Sequence, residues 1–305
     1  MTQHDVDVAI VGAGFAGLSA AVMLARGRRR VVLIDDDQPR NRYAAAAHGF
    51  LGQDGRSPQE IRRTGLAEVL AYPTASHLAG RVDAVVRQRD GRFLLTGTGF
   101  SVVAARVIIA TGQRDILPEI DGLAACWGVT ANQCPYCHGY ELADRPTGLL
   151  CNADVPLHLA RLLREWTADL TLLENGVLVD ATMTAALAGM PRMAGRVQRI
   201  EHADGKMRAA VLEDGRRVPM TALYLVTRQE PASALAANLG CAMTEGPMGP
   251  DVAVDKYQRS TVPGVFAAGD LTTSFANSVQ AAASGTQAGV ACHQDLLGLL
   301  EPREG

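Results

Sequence analysis

Cys134 and Cys137 enclose Pro135 and Tyr136 and run directly into His138. A C-x-x-C closes a small disulfide ring. At a helix start the partial positive charge also favours a thiolate, so the pair suits thiol–disulfide exchange. A zinc site would need two more ligands, and the chain has no second C-x-x-C and no H-x-x-x-H. The cysteines at 126, 151, 241 and 292 follow no spacing pattern. An imidazole with an ordinary pKa of ~6.5 can take a thiol proton at neutral pH. His138 can do that, or it can only cap the helix or orient the cysteine. Glu141 lies about one helical turn beyond Cys137. It can orient His138 and hold a proton, or merely satisfy the helix dipole.

Such a pair must be held against something that takes or gives electrons. The chain opens as strand, turn, helix, strand. Val6 to Val11 is an apolar strand, Gly12-Ala-Gly14-Phe-Ala-Gly17 the turn, Leu18 to Ala25 the opening of a helix, and Val31 to Ile34 the next strand, ending at Asp35. Gly12 permits the tight turn, Gly14 lets backbone approach a pyrophosphate, and Gly17 lets helix and strand pack closely. The helix N-terminus offers unpaired N–H groups and partial positive charge to phosphates. Asp35 follows at about the 20-residue distance that suits a carboxylate on ribose hydroxyls. This segment reads as a dinucleotide site.

Phe93 to Thr96 and Ser101 to Val103 read as an antiparallel pair, and Val107 through Ala110, Thr111 and Gly112 as a buried strand ending in a turn. Gly264 through Gly269 and Asp270 repeats that form, before an Ala- and Gly-rich helix from about Asn277. Between them, Thr147 to Asn152, Leu157 to Trp166 and Leu170 to Leu173 read as strand, helix and strand, a second βαβ unit. The expected class is α/β with two dinucleotide-binding, Rossmann-like βαβ domains. Residues 116–245, carrying the C-x-x-C, would be inserted into a first domain of 1–115 and 246–305. A chain of 305 residues can bury two cores. The formal net charge of −3 argues against a nucleic-acid partner. No apolar run approaches the ~18 residues of a membrane span. The first apolar run follows an acidic start and precedes a Gly-rich turn, so it reads as a strand rather than a signal peptide, and a cytoplasmic protein is expected. Arg28 to Arg30, and Arg62 with Arg63, read as solvated surface or helix ends.

The G-x-G-x-x-G turn, the Ala110-Thr111-Gly112 segment and the Gly269-Asp270 segment resemble, in that order, the motifs of flavoproteins with two dinucleotide-binding domains. There the Asp meets the ribityl–pyrophosphate region of FAD. With a C-x-x-C just before the inserted domain's first strand, nearly the full chain resembles the low-molecular-weight thioredoxin reductase family. The resemblance implies FAD, a homodimer and no metal. It implies cofactor contacts from Gly12, Gly14, Phe15, Ala16, Gly17, Asp35, Asp36, Arg40, Arg42, His48, Val82, Ala110, Thr111, Gly112, Gly269, Asp270, Val279 and Gln280. It also implies that Cys137 is the flavin-proximal sulfur, meeting C4a, and Cys134 the interchange sulfur. Thioredoxin reductases usually carry Asp after the second cysteine, where this chain has His138. The run from Cys134 to Glu141, C-P-Y-C-H-G-Y-E, is similar to a branch that includes the dithiol oxidases closing the disulfides of gliotoxin, holomycin and romidepsin. Other bacterial reductase-like proteins share it.

In that family the second βαβ opens on a Gly-rich turn for NADPH. Here the stretch from Leu150 through Asn152, Asp154 and Pro156 to His158 has no glycine, and Glu174-Asn175-Gly176 stands where an arginine cluster is expected. Side chains at Asn152 and Asp154 would crowd a pyrophosphate, and an acid after the second strand disfavours a 2′-phosphate. Phe275 to Gln280 also lacks the Arg of the family's Arg-Gln pair. The resulting expectation is an oxidase. Electrons enter from a small-molecule dithiol through the cysteine pair and leave through FAD to O2 as hydrogen peroxide. Tyr43, His48, Phe50, Trp127, Tyr136 and Phe275 are candidates to line the substrate cavity, although single aromatics are more often core residues. Two other readings stay open: a thioredoxin-type reductase fed by NADPH or ferredoxin, and a flavoprotein that senses thiol redox state and binds a partner.

Overall fold

The computed structural model describes residues 2–301. Two compact units emerge, one from residues 1–42, 57–114 and 229–305, the other from 43–56 and 115–228.

The first unit is built on a seven-stranded sheet. Strands Ala75–Ala79, Val31–Asp35, Thr2–Val11 and Phe100–Ile109 run parallel, joined by Val265–Ala267 beside Phe100–Ile109. Phe93–Gly97 and Val82–Arg87 extend it antiparallel. Alternating side chains bury both faces, as period-two strand geometry requires. Val8 and Ile10 face a cluster with Leu33, Ile108 and Phe266, while Ala9 and Val11 face one with Val32, Ile34 and Ile109. The helices Phe15–Arg26 and Ser278–Leu296 pack through their smallest residues. A Cβ at Gly285 would overlap the Ala16 carbonyl, and one at Gly289 would sit 2.7 Å from the Ala20 carbonyl oxygen. Phe100–Ile109 is one ten-residue strand rather than the two short ones expected. Ala104, Ala105 and Arg106 carry no turn signal, so the ladder to Thr2–Val11 continues through them.

The second unit has a parallel five-stranded sheet, ordered Arg192–Met193, Leu170–Leu173, Thr147–Leu150, Ala222–Leu225, Ala131–Asn132. An antiparallel sheet of Val197–Ala203, Lys206–Leu212 and Arg217–Pro219 accompanies it. The helix after Thr147–Leu150 is shorter than expected: Leu157–Leu162 is α-helical and Leu163–Glu165 tightens to 3-10 geometry. Trp166 and Thr167 both donate to the Leu163 carbonyl, and the Thr167 hydroxyl is drawn to the Arg145 carbonyl at 2.9 Å.

The unit boundaries differ from the expected ones in two places. Residues 229–245 belong to the first unit and Tyr43–Arg56 to the second. Ala47 N donates to Arg56 O at 2.8 Å and Gly55 N to Ala47 O at 2.9 Å, closing the latter loop at its base. Gly128 leaves room for Tyr43, whose Cβ would lie 2.8 Å from any Cβ there. Among the described residues, no helix is long and apolar enough to cross a membrane.

Candidate functional site

Cys134 and Cys137 form a disulfide with Cα atoms 5.3 Å apart, inside the range such a bond spans. Cys134 is the N-cap of Pro135–His138, a helix of one turn, and Pro135 supplies a first helical position that needs no N–H. A dipole argument for the thiol pKa is correspondingly reduced to the local N–H groups. Gly139 closes the turn through N–H to the Pro135 carbonyl at 2.6 Å. A Cβ there would lie 2.9 Å from the Trp166 ring, which meets Tyr136 edge-on with centroids 5.4 Å apart. Gln133 accepts from the buried Thr227 hydroxyl at 2.9 Å, and Asp115 accepts from the same hydroxyl at 3.0 Å.

His138 is held below its usual pKa by burial, with Glu141 pulling it up and His48 pushing it further down. It is therefore neutral at pH 7 and able to accept a proton. Glu141 lies in the turn beyond the helix, and its closest ionic partner is His48, with Nε2 3.4 Å from Oε1. The other imidazole nitrogen of His48 is 3.6 Å from Asp54 Oδ2. His48, expected as a cofactor contact, thus stands in the second unit between two carboxylates, because its loop folds there. Of the expected lining aromatics, Tyr136 is well exposed in the second unit and Phe275 in the first.

The first unit contains a cradle that fits a dinucleotide. Gly12 has φ +102°, and a Cβ there would overlap the Ala110 carbonyl oxygen. Gly17 allows no Cβ either, because the Gly12 carbonyl lies against it, whereas Gly14 has nothing within 4 Å and is open to an approaching group. The helix Phe15–Arg26, with Ala16 buried in its first turn, starts from Gly14 as N-cap, which has no side chain to cover the helix end. Asp35 Oδ1 accepts from Ala13 N at 2.8 Å, which fixes the carboxylate beside the turn. The Thr111 hydroxyl is buried without a hydrogen-bond partner among the described residues, next to Gly112 at φ +71°. Gly269 N donates to Ser284 at 2.9 Å, and Asp270 pairs with Arg40 at 3.0 Å. Other expected contacts stand apart from this core. Asp36 and Arg42 are exposed, the latter bonded to the Pro39 carbonyl at 2.9 Å. Val82 is buried at the start of its strand. Val279 and Gln280 lie exposed in the first turn of Ser278–Leu296, where Gln280 N donates to the Asn277 cap at 2.8 Å.

The part Arg62 takes beside the cradle was missed by the sequence reading, which assigned it to a solvated face or a helix end. Its Nε donates to Ala13 O at 3.0 Å, Nη2 to Asp35 at 2.8 Å and Nη1 to Asp37 at 2.8 Å, with the side chain only 11 % exposed. The usable signal was the capping box Ser57-Pro-Gln-Glu60, which starts the helix Pro58–Leu70 and sets Arg62 one turn in.

The second βαβ turn is closed by its own side chains. Asn152 Nδ2 donates to the Val226 carbonyl at 2.9 Å, Asn152 and Asp154 form an isolated bridge, and Ala153 between them takes φ +71°. Asn175 donates to the Cys151 carbonyl at 3.2 Å and accepts from Val197 N at 3.0 Å. Glu174 is engaged by Arg192 at 2.7 Å.

The family model for pyridine nucleotide-disulphide oxidoreductases matches residues 6–289. Thioredoxin reductase tcpT of Claviceps purpurea is 30% identical over 97% of this chain and 96% of its own. Thioredoxin reductase sirT of Leptosphaeria maculans is 28% identical over 96% and 94%. Among solved structures, HlmI superposes with a TM-score of 0.89 at 37% identity, covering 97% of this chain and 93% of the other. An oxidoreductase from Agrobacterium tumefaciens does so with 0.90 at 36%, covering 96% and 99%. The family's thioredoxin reductase-like members are FAD flavoproteins, and FAD is the cofactor that the cradle's residues suit. With the glycine turn, the A-T-G and G-D segments and the Cys134–Cys137 disulfide all present in one chain, the protein belongs to the pyridine nucleotide-disulphide oxidoreductase family.

Proposed function

We propose that the protein is an FAD-dependent dithiol oxidase that closes an intramolecular disulfide in a small-molecule dithiol, with O2 as the final acceptor. The observation that carries this reading is the second βαβ unit, where the turn after Thr147–Leu150 has no glycine for a pyrophosphate and Asn152, with Glu174 and Asn175 beyond the next strand, binds the protein itself. Without a nucleotide donor, electrons enter at the disulfide.

A substrate thiolate attacks Cys134 Sγ, forming a mixed disulfide and releasing Cys137 as a thiolate. The second substrate thiol gives up its proton, attacks the substrate sulfur of the mixed disulfide and displaces Cys134. The substrate has then lost two electrons and two protons, and the cysteine pair has gained the electrons. His138, neutral at pH 7, is the base that takes a thiol proton. Glu141 and His48, 3.4 Å apart, flank that environment and are positioning residues. FAD, when bound, supplies the two-electron acceptor that re-oxidises the pair and passes the electrons to O2 as hydrogen peroxide. In the cradle, Gly12 and Gly17 keep the turn tight and the helix close, Gly14 would admit the pyrophosphate, Asp35 would meet the ribose, and Thr111, Arg40 and Asp270 would hold the remaining polar groups. The reading extends to a cytoplasmic protein and to a homodimer, and light scattering on the purified protein tests the dimer.

Anaerobic stopped-flow spectroscopy of the yellow protein is the test, first with NADPH and then with a dithiol. The expected result is an unchanged flavin band with NADPH, bleaching with the dithiol, and recovery in air with one peroxide per dithiol. Cys134→Ser abolishes the bleaching. Rapid bleaching by NADPH would instead make the protein a reductase.

A further inference from the structure

Asp251 is a carboxylate with little exposure and, among the described residues, no cationic partner. Burying a charge without a counter-ion is unfavourable unless hydrogen bonds replace its hydration. Oδ1 accepts from Gln113 Nε2 at 3.2 Å, and the same amide nitrogen reaches the Pro250 carbonyl at 3.0 Å. Oδ2 accepts from the Ser274 hydroxyl at 3.1 Å, and the Ser274 main chain also bonds the carboxylate. Burial pushes the Asp251 carboxyl up, while Ser274 and Gln113 pull it back.

The two donors come from different segments. Gln113 directly follows Ala110-Thr111-Gly112, and Ser274 lies four positions beyond Asp270. Asp251 sits on the hairpin Met243–Glu245 with Pro250–Val252, in register with Thr244. Gly246 lets that hairpin come close. A Cβ there would overlap Ser274 Oγ and lie 2.7 Å from Asp251 Oδ2. Neither donor belongs to the cradle itself: Gln113 directly follows one of its turns, and Ser274 lies two residues past the Gly269–Thr272 turn.

We propose that Asp251 is a positioning residue for the flavin site, a buried tether that fixes the Ala110–Gly112 turn and the Gly269–Thr272 turn relative to one another. The proposal rests on the reading above that these turns hold FAD. Only a carboxylate can accept on both oxygens from donors on both segments. An amide would turn one of these acceptors into a donor facing another donor. Each lost hydrogen bond to a charged group loosens one turn and with it the polar groups aimed at the cofactor.

The test follows FAD release from the holoprotein as the rise of flavin fluorescence after dilution, together with the visible spectrum. The variants are Ser274→Ala, Gly246→Ala, Asp251→Asn and Asp270→Ala. Ser274→Ala removes one bond and should release FAD several-fold faster. Gly246→Ala wedges the pair apart, and with Asp251→Asn it should release FAD about tenfold faster. Both should shift the flavin band by a few nanometres, a readout that a general loss of stability would not move. Should Asp251→Asn fail to fold, Ser274→Ala and Gly246→Ala still decide. If both hold FAD like the wild type while Asp270→Ala loses it, the tether is wrong and the cradle reading stands. If Asp270→Ala also releases FAD at the wild-type rate, the cradle reading fails and the tether with it.

Discussion

The protein contains the same strand–turn–helix–strand device twice, and the two copies have diverged at the turn. After Thr2–Val11 the turn has three glycines and leads into a twelve-residue helix whose N-cap, Gly14, carries no side chain. After Thr147–Leu150 the turn has none, and its helix runs six residues from a proline cap. In the first, the acid Asp35 binds the turn's own backbone through Ala13 N and keeps its place beside the opening. In the second, Glu174 is neutralised by Arg192 and Asn175 stitches the two strand ends together. A parallel sheet needs the crossover to stay folded but does not need the turn to stay open. A lost ligand site can therefore be filled by side chains that satisfy the local backbone.

The sharpest way to break this contrast is to close the open turn. Gly17→Val places a branched side chain against the Gly12 carbonyl, where not even a Cβ fits. FAD retention should fall by roughly a hundredfold or more, giving a colourless protein by the ratio of flavin to protein absorbance. The matching change in the other copy, Ala153→Gly, relieves a positive φ and should leave FAD content untouched. Equal FAD loss in both variants would show that the first turn is not the cofactor site.

How much of this was legible follows from the same two turns. Gly12, Gly14, Gly17 and Asp35 could be read in order because each does a local job that only its residue type performs. Closure of the second turn was legible as missing glycines, but not as the bonds that replaced them, since Asn152 to Val226 and Asn175 to Val197 are long-range. The places of Arg62 and His48 escaped the sequence for a related reason. Each comes from a segment whose place is set by tertiary packing. One lies on an unanticipated helix, and the other in a loop that folds with the unit opposite to the one its sequence position suggests.

If electrons enter through the disulfide rather than a nucleotide, a base must stand beside it. His138→Gln should slow flavin reduction by a dithiol roughly a hundredfold. Burial keeps the imidazole neutral, so the acid limb of the wild-type rate should fall below pH 6.5, the ordinary histidine value, and vanish in the variant. The sign for stability is the same. The unfolded chain takes this proton near pH 6.5 and the folded chain only at lower pH, so folding stability declines as pH falls through that window. A wild-type acid limb centred above pH 6.5 would remove His138 as the base. Arg62→Ala tests the open cradle more gently. It leaves Asp35 with only its main-chain donors and should weaken FAD binding about tenfold by fluorescence titration. Unaltered affinity would mean that Arg62 only covers the helix end.

The smallest effect lies in the closed copy, where the contrast makes a claim about stability alone. Asn175 takes φ +49°, a conformation that asparagine tolerates better than alanine. Asn175→Ala loses both side-chain bonds and adds backbone strain, for about 2–3 kcal/mol in all. Asn175→Gly loses the bonds but accepts the backbone, and should cost about 1–2 kcal/mol. Urea unfolding of the second unit, followed by Trp127 and Trp166 fluorescence, should order the variants as wild type, Gly, Ala. FAD content should be the same in all three. A variant that gained NADPH binding would mean that Asn175 alone had been blocking a site otherwise intact, and the second turn would then be a gate rather than a scaffold.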